Sequence, residues 1–286
     1  MGRPFLFPYR SGVVGGILRR CTGSIGCVTV TTVLDVSNPG AAAASAAAGP
    51  RLSVVVPVFN EAENVTPLLD EIERALTPVV PFEVVFVDDC STDGTAARVA
   101  AAIAAGRPVR LLRHHTRSGQ STAVRTGVKA AHAPWIATLD GDGQNDPADI
   151  PALFARTQTP GGPLLVGGIR AKRQDTFSKR LASRLANAVR QAMLQDGCRD
   201  SGCGIKVFAR AAFLDLPSFN AMHRFLPALF TAHGHAVDYL PVNHRPRTRG
   251  VSKYTNWQRA LVGVADLLGV WWLKRRTRVT SASEHC

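Results

Sequence analysis

The stretch LSVVVPVFNEAENVTPLLDEIERAL, residues 52–76, decides the fold. It opens with a run that is apolar and mostly β-branched, which is typical of a strand buried on both faces of a parallel sheet. Apolar side chains then recur at helical spacing, at Val65, Leu68, Leu69, Ile72 and Leu76. The stretch therefore predicts a buried strand followed at once by a helix that packs on the sheet.

The same pattern returns further along the chain. Strands are predicted at 82–89, 109–114, 135–140 and 205–208, and helices at 91–106, 119–133, 147–156, 176–194 and 222–234. Four strand–helix alternations with short connections predict an α/β fold whose Rossmann-like, mostly parallel sheet is flanked by helices. Ligands of such sheets bind beyond the carboxyl ends of the strands.

Polar side chains lie at the carboxyl ends of three predicted strands. They are Asn60 and Glu61 just beyond the first strand, Asp88 and Asp89 at the end of the second, and Asp140 and Asp142 at the end of the fourth. The sequence contains neither G-x-G-x-x-G after the first strand nor G-x-x-x-x-G-K-[ST], which disfavours dinucleotide binding and P-loop chemistry. Because no glycine-lined loop approaches a diphosphate, we expect a divalent cation held by carboxylates to neutralise one.

The segment DGDGQND, residues 140–146, carries the candidate metal ligands. Asp140, Asp142 and Gln144 alternate with glycines, which allow a tight turn and close approach to a ligand. Hard oxygen ligands of this kind suit Mg²⁺ or Mn²⁺. A solvated turn is the structural alternative for the two aspartates. Asp146 precedes Pro147, and we expect it to cap the helix that follows.

Composition and charge narrow the partners. The chain has 286 residues, a formal net charge of +13 and 45% hydrophobic residues. The charge suits nucleic acid, a phosphorylated substrate or an anionic membrane surface. Nucleic acid is the weakest of these, because the acidic sheet edge would repel phosphates and no aromatic stacking platform is present. Six scattered cysteines without C-x-x-C disfavour zinc and fit a reducing cytosol.

The two ends of the chain differ from the middle. Residues 1–49 are expected to be a poorly ordered extension and linker, and 50–254 the globular domain. Residues 255–286 hold an apolar run at 260–273, which as a helix covers about 21 Å and is too short to span a bilayer. Two tryptophans and a basic cluster predict an amphipathic helix at the membrane interface, with an ordinary core helix as the alternative.

Three segments together resemble a known family. LSVVVPVFNEAENV (52–65), VVFVDDCSTDGT (84–95) and WIATLDGDGQNDPADIP (135–151) are similar to the GT-A glycosyltransferases of family 2. Within that family they resemble the polyprenyl-phosphate sugar transferases typified by dolichol-phosphate mannosyltransferase. The resemblance implies inverting, metal-dependent transfer from a GDP- or UDP-linked sugar to a polyprenyl phosphate. It also implies action at the cytoplasmic membrane face, with Mg²⁺ or Mn²⁺ as cofactor. Attachment there is expected to be peripheral, through the amphipathic helix of residues 255–286.

The resemblance also implies roles on the donor side. The nucleotide is bordered by Pro57, Asn60 and Glu61, with Asp89 at the base or the ribose. The metal that bridges the diphosphate is held by Asp140, Asp142 and Gln144. The segment GGIR, 167–170, matches the family's G-x-R and places Arg170 near phosphate. Capping of the next helix is the alternative role for Asn60.

On the acceptor side, the resemblance implies a cationic site. The acceptor phosphate is contacted by Arg184 and Asn187 from the helix at 176–194, and by Arg247, Arg249 and Lys253 from HRPRTRGVSKY, residues 244–254, which we call the acceptor loop. The implied catalytic residues are Asp142, Asp200, Arg249 and Lys253. A solvated charge run is the alternative for the acceptor loop.

The acceptor decides whether Asp200 acts as a base. A hydroxyl acceptor needs a base to remove its proton, whereas a phosphomonoester is already anionic and needs cations to position it. With a lipid phosphate, Asp200 is expected to orient other groups. A family 2 enzyme that acts on a glycan hydroxyl is the alternative.

Overall fold

The computed structural model describes residues 49–170, 187–246 and 256–279, with side chains in the last range from residue 263 onward. These ranges belong to one unit, residues 42–286. Four residues predicted to bind the acceptor lie outside the described ranges, namely Arg184, Arg247, Arg249 and Lys253. The extension predicted for 1–49 also lies outside them, apart from Gly49.

The described ranges contain one sheet of seven strands. The strands are β1 Leu52–Val58, β2 Phe82–Asp88, β3 Val109–Arg113, β4 Trp135–Thr138, β5 Leu165–Arg170, β6 Lys206–Ala209 and β7 Val237–Val242. Their order in the sheet is β3-β2-β1-β4-β6-β5-β7. The four strands β3, β2, β1 and β4 pair in parallel with one another, and β5 pairs in parallel with β7. Strand β6 runs antiparallel to its neighbours β4 and β5. The predicted mostly parallel α/β sheet is confirmed.

Helices alternate with the first four strands as predicted. The helices are α1 Ala62–Leu76, α2 Thr95–Ala104, α3 Gln120–Ala130, α4 Ile150–Thr157, α5 Arg210–Leu214, α6 Leu226–Ala232 and α7 Asn256–Arg276. Short 3-10 turns occupy Pro147–Asp149 and Met222–Arg224, and the chain is also helical over 187–194.

Both faces of the sheet are covered. Val54 of β1 belongs to a core that includes Leu69 and Ile72 of α1. Val55, the next residue, belongs to a separate core that includes Val124 of α3. Successive residues of a strand point to opposite faces, so a strand covered on both faces has to be apolar throughout.

Two strands and two helices differ from the sequence prediction, since the five-residue helix α5 is not predicted. Strands β5 and β7 are not predicted, because β5 contains two consecutive glycines and β7 is half exposed and contains Pro241. The helix predicted at 222–234 is divided into a 3-10 turn and α6. Pro227 lies in the first turn of α6, a position that proline favours because its missing N–H is not needed there.

Helix α7 packs with one side and exposes the other. Val270 is buried and Trp271 packs against the core beside α3 and α6. Val264, Leu268 and Trp272, which are spaced four residues apart, are each more than half exposed. In the described part of the chain, every helix is too short or too polar to cross a bilayer.

The topology brings the candidate site together at one edge. The carboxyl ends of β1, β2 and β4 share that edge because these strands are parallel. Since β6 is antiparallel, its first residue rather than its last lies there, and Lys206 pairs with Thr138 at the end of β4. The segment that leads into β6, residues 200–205, is thereby added to the edge.

Candidate active site

Residues 140–146, the metal loop, leave β4 at the carboxyl edge of the sheet. Gln120 at the start of α3 donates from Nε2 to Asp140 Oδ1 at 2.7 Å. The Asp140 N–H donates to Asn145 Oδ1 at 3.1 Å, and the Gln144 N–H donates to Asp142 Oδ1 at 3.1 Å. The two candidate carboxylates are therefore held by neighbours on the loop and on α3.

The loop turns as tightly as its glycines suggest. A Cβ on Gly141 would lie 2.7 Å from Val58 Cγ1 and 3.0 Å from the Pro57 carbonyl oxygen. Gly143 has φ +71°, in the left-handed region that favours glycine. The predicted tight turn, which rested on these two glycines, is confirmed.

The electrostatics of Asp140 fit a cation site. Burial and the neighbouring charge of Asp142 raise the pKa of Asp140 to about 6, although Lys206, Gln120 and Arg170 act in the opposite direction. The ionised form of Asp140 is therefore electrostatically unfavourable in the metal-free protein, and a bound divalent cation would stabilise it. Among the described residues, no three His, Cys, Asp or Glu side chains converge on one metal-sized site. An ion here would take its other ligands from amide oxygen, water or phosphate.

Removing the charge of Asp140 should stabilise the metal-free protein. Because the pKa of Asp140 is 3.8 in the unfolded chain and about 6 in the folded protein, ionisation of Asp140 lowers the free energy of unfolding as the pH rises through this range. Above about pH 6 the loss of stability is complete. We expect Asp140→Asn to melt a few degrees higher than the wild type at pH 8 without metal. The gain should disappear near pH 4, where the wild-type carboxyl is protonated. Thermal melts at both pH values check this, and an unchanged or lower Tm at pH 8 would contradict it.

Lys206 is a site residue that sequence reasoning missed. The side chain is 4% exposed, and Nζ donates to the Cys203 carbonyl oxygen. Its charge acts on Asp140 and on His223. Burial raises the free energy of an ammonium unless anions lie nearby, and the metal loop supplies them. The only sequence signal was a lysine at the start of an otherwise apolar strand.

The residues after β1 tie the first two strand ends together. Asn60 has φ +54°; its N–H donates to Ser91 Oγ at 2.9 Å and its Oδ1 accepts from the Thr92 N–H at 2.8 Å. Glu61 Oε2 accepts from Asn64 Nδ2 at 2.7 Å. Asn60 therefore bridges to the loop after β2 rather than capping α1. Its role toward a nucleotide, like that of Glu61 and Pro57, stays a prediction.

Asp89 organises the loop between β3 and α3. Its carboxylate accepts from the N–H groups of Ser118 and Gly119, both at 2.8 Å, and lies 2.8 Å from His114 Nδ1. These bonds outweigh burial and lower the pKa of Asp89. Arg117 in the same loop stacks over Phe59 at 4.1 Å. Asp89 thus shapes the place where a base is predicted to bind, and direct contact with the base stays a prediction.

Arg170 and Asp200 form a pair that the sequence did not reveal. Arg170 Nε and Nη2 donate to Asp200 Oδ2 and Oδ1, both at 2.6 Å, and the side chains are only 15% and 6% exposed. This two-point contact has the planar geometry that favours arginine. The prediction placed these residues separately, one near phosphate and one as a catalytic carboxylate. The structure joins them into one unit beside Asp140.

His223 is joined to the first turn of α3, next to the residue that holds Asp140. His223 Nδ1 is 2.6 Å from Ser121 Oγ, one residue from the Gln120 that holds Asp140. Burial, with the charges of Lys206 and Arg224, lowers the pKa of His223 to about 3. The imidazole is therefore neutral at physiological pH and anchors the 222–224 turn to α3.

The metal loop is also fixed to the chain that leads into the acceptor loop. Asp146 accepts from the Ala148 N–H at 3.1 Å, which confirms its predicted capping role, and it pairs with Arg245 at 2.5 Å. Arg245 also pairs with Glu71 at 2.8 Å, and its N–H donates to the Gln144 carbonyl oxygen at 2.9 Å. The described start of the acceptor loop, residues 244–246, is therefore bound to the metal loop.

Asn187 lies beside the segment that carries Asp200. Its Nδ2 donates to the Arg199 carbonyl oxygen at 3.3 Å. One turn further on, Arg190 pairs with buried Asp196 and donates to the Cys198 carbonyl oxygen at 3.0 Å. The helical segment 187–194 is therefore anchored next to residues 196–200. The predicted contact of Asn187 with an acceptor phosphate stays a prediction.

Comparison with known families gives a match over most of the sheet. Residues 53–216 match the family described as Glycosyl transferase family 2. The chain is 32% identical over 228 residues to the dodecaprenyl-phosphate galacturonate synthase of Rhizobium johnstonii, covering 78% of this chain and 67% of the relative. It is 31% identical over 207 residues to the undecaprenyl-phosphate 4-deoxy-4-formamido-L-arabinose transferase of Serratia proteamaculans, covering 72% and 63%. The chain thus spans about two thirds of these relatives.

Solved structures share the fold at lower identity. Glucosyl-3-phosphoglycerate synthase from Mycobacterium tuberculosis, crystallised with Mn²⁺, UDP and glucosyl-3-phosphoglycerate, matches with a TM-score of 0.59 and 21% identity, covering 88% of each chain. The mannosyltransferase PcManGT from Pyrobaculum calidifontis, in complex with GDP-Man and Mn²⁺, matches with a TM-score of 0.57 and 21% identity, covering 82% of this chain and 67% of that one. The predicted GT-A fold is confirmed.

Proposed function

The chain belongs to glycosyl transferase family 2, and on that premise we propose that it transfers a sugar from a nucleotide sugar to a polyprenyl phosphate. Transfer inverts the anomeric carbon and takes place at the cytoplasmic face of a membrane. One observation carries this proposal: two relatives at 31–32% identity, each matched over more than 70% of this chain, are named as polyprenyl-phosphate sugar enzymes. A glycan hydroxyl as acceptor is not favoured.

We propose Mg²⁺ or Mn²⁺ as cofactor, held by Asp140, Asp142 and Gln144. The raised pKa of Asp140 and the neighbouring charge of Asp142 support this ligand set. When bound, the ion stabilises negative charge on the departing nucleotide diphosphate. The chain itself fixes Asp140 from α3 and from Asn145, so the ligands are positioned before the donor binds.

The Arg170–Asp200 pair supports an acceptor that is already ionised. Both oxygens of Asp200 accept from Arg170, which keeps the carboxylate directed at the guanidinium. A hydroxyl acceptor needs a base that is directed at the substrate, whereas a phosphate attacks without one. In our proposal Asp200 orients Arg170, and Arg170 lies near the phosphates together with Arg184, Asn187, Arg247, Arg249 and Lys253.

Helix α7 supports contact with a membrane surface. Its exposed side carries the stripe Val264, Leu268 and Trp272. Arg275 and Arg276 stack at 4.1 Å and 5.7 Å on the two tryptophans before them, which places cations at the level of the exposed indole. Apolar side chains with arginines beside them fit the boundary between acyl chains and anionic head groups.

Lys253 gives a test of the acceptor loop. We expect Lys253→Ala to raise KM for polyprenyl phosphate on the order of 10- to 100-fold, since it removes a charge-assisted hydrogen bond. Acceptor-independent hydrolysis of the nucleotide sugar should change little. The control is Lys129→Ala, at the exposed end of α3 away from the site. Equal losses in transfer and hydrolysis would contradict the assignment.

The proposed reaction is tested by weighing the lipid product. Purified protein is incubated with Mg²⁺, a panel of UDP- and GDP-linked sugars, and one of three acceptors, namely undecaprenyl phosphate, undecaprenol or a glycan. We expect a glycosylated lipid of the corresponding mass from the phosphate and none from the alcohol. Transfer to the alcohol, or to added glycan while the lipid phosphate stays unmodified, would overturn the proposal.

A further inference from the structure

Gly204 lies against the carboxylate of Asp140 with no room for a side chain. A Cβ at this position would lie 2.2 Å from Asp140 Oδ2, 2.5 Å from its Cγ and 2.7 Å from Asn145 Oδ1. Real Cβ atoms do not approach other atoms this closely, so one of the partners would have to move. The atoms in the way are the ends of two side chains, which can rotate without unfolding the protein.

The backbone at Gly204 does not itself require glycine. Its φ lies outside the left-handed region, unlike that of Gly143 in the metal loop. The position of the Gly204 backbone is fixed from β4, where Thr138 Oγ1 donates to its carbonyl oxygen at 2.9 Å. Space for the Asp140 carboxylate is therefore the constraint that glycine satisfies here.

We infer that Gly204 is a positioning residue for the first metal ligand. Its backbone packs directly against the Asp140 carboxylate. Gln120 donates to that carboxylate, and Asn145 accepts from the Asp140 N–H. Gly204 reaches this place because it lies just before β6, and the antiparallel β6 begins at the edge of the sheet where β4 ends. A methyl group at 204 would displace the Asp140 carboxylate from this position, so that it would no longer be held where it is proposed to share a cation with Asp142.

This inference rests on the proposed metal site, and its test reads metal binding rather than transfer. Mn²⁺ affinity is measured for the wild type and for Gly204→Ala, with UDP and separately with GDP present, by the loss of the free Mn²⁺ signal in electron paramagnetic resonance. We expect affinity to fall about 10- to 100-fold, the range typical when support of a ligand is lost. Urea unfolding of the metal-free variant should stay close to the wild type.

Gly94→Ala is the matched control, because its added Cβ meets only Ala62 Cβ at an ordinary 3.8 Å. Its Mn²⁺ affinity should equal that of the wild type. If Gly204→Ala binds Mn²⁺ within about twofold of the wild type, given that support of a ligand is worth tenfold or more, the inference is overturned. Where Gly204→Ala does not fold, Thr138→Val is read instead: weaker Mn²⁺ binding supports the inference, and unchanged binding overturns it.

The outcome is separable from that of the proposed reaction. If the variant binds Mn²⁺ more weakly but the wild type modifies no lipid phosphate, Gly204 is supported as a positioning residue and the proposed acceptor is ruled out. Lipid glycosylation by the wild type, together with undiminished Mn²⁺ binding by the variant, keeps the acceptor and removes the role of Gly204.

Discussion

Asp142→Asn is expected to lower kcat for metal-dependent transfer on the order of 10²- to 10³-fold, the scale seen when one group that stabilises developing charge is removed. The amide still offers an oxygen to the Gln144 N–H, which Asp142 accepts at 3.1 Å. The fold should therefore be retained, with Tm near that of the wild type. The measurement is initial rates of lipid glycosylation over a range of Mg²⁺ and Mn²⁺ concentrations, with thermal melts alongside.

The control for this variant is Asp70→Asn. Asp70 is an exposed aspartate of α1 that pairs with Arg107 away from the sheet edge. We expect it to leave transfer unchanged, so that loss of one negative charge is separated from loss of a ligand. Wild-type rates in Asp142→Asn would refute the role of Asp142 at the metal.

Arg170→Met is expected to cost about 3–5 kcal/mol of unfolding free energy, because it leaves the buried Asp200 carboxylate without the guanidinium that compensates it. Asp200 has a side chain that is 6% exposed and both its oxygens bind Arg170 at 2.6 Å. Urea denaturation measures the loss. It should be larger than that of any single surface charge in this chain.

Arg156→Met supplies the comparison. Arg156 pairs with Asp238 at the same 2.6 Å, but the two side chains are 44% and 35% exposed. Exposed pairs contribute about 0–1 kcal/mol. Similar small losses in both variants would show that the Arg170–Asp200 pair is not a buried structural unit, and would reopen Asp200 as a base.

Much of the donor side could be predicted from sequence because its residues follow parallel strands. Asn60 after β1, Asp89 after β2 and Asp140 after β4 each come directly after an apolar run, and parallel pairing sends all three runs to one edge. The capping role of Asp146 could be predicted for a similar reason, since a cap depends on residues that are neighbours in sequence.

The rest depends on a strand whose direction the pattern does not encode. A four-residue run such as β6 has no feature that distinguishes parallel from antiparallel pairing, and only the antiparallel arrangement brings Gly204 and Lys206 to the metal loop. The pairing of Arg170 with Asp200 joins residues 30 positions apart, one at the end of β5 and the other in the segment that leads into β6. Neither contact follows from spacing.

The metal ion that Asp140 and Asp142 are proposed to hold is the centre of this account. Crystals soaked with Mn²⁺ and UDP or GDP test it most directly, through the anomalous scattering of manganese. We expect one strong peak within coordination distance of both carboxylates and of the nucleotide diphosphate. A diphosphate bound at the sheet edge with no manganese at these aspartates, or manganese bound elsewhere, would contradict it.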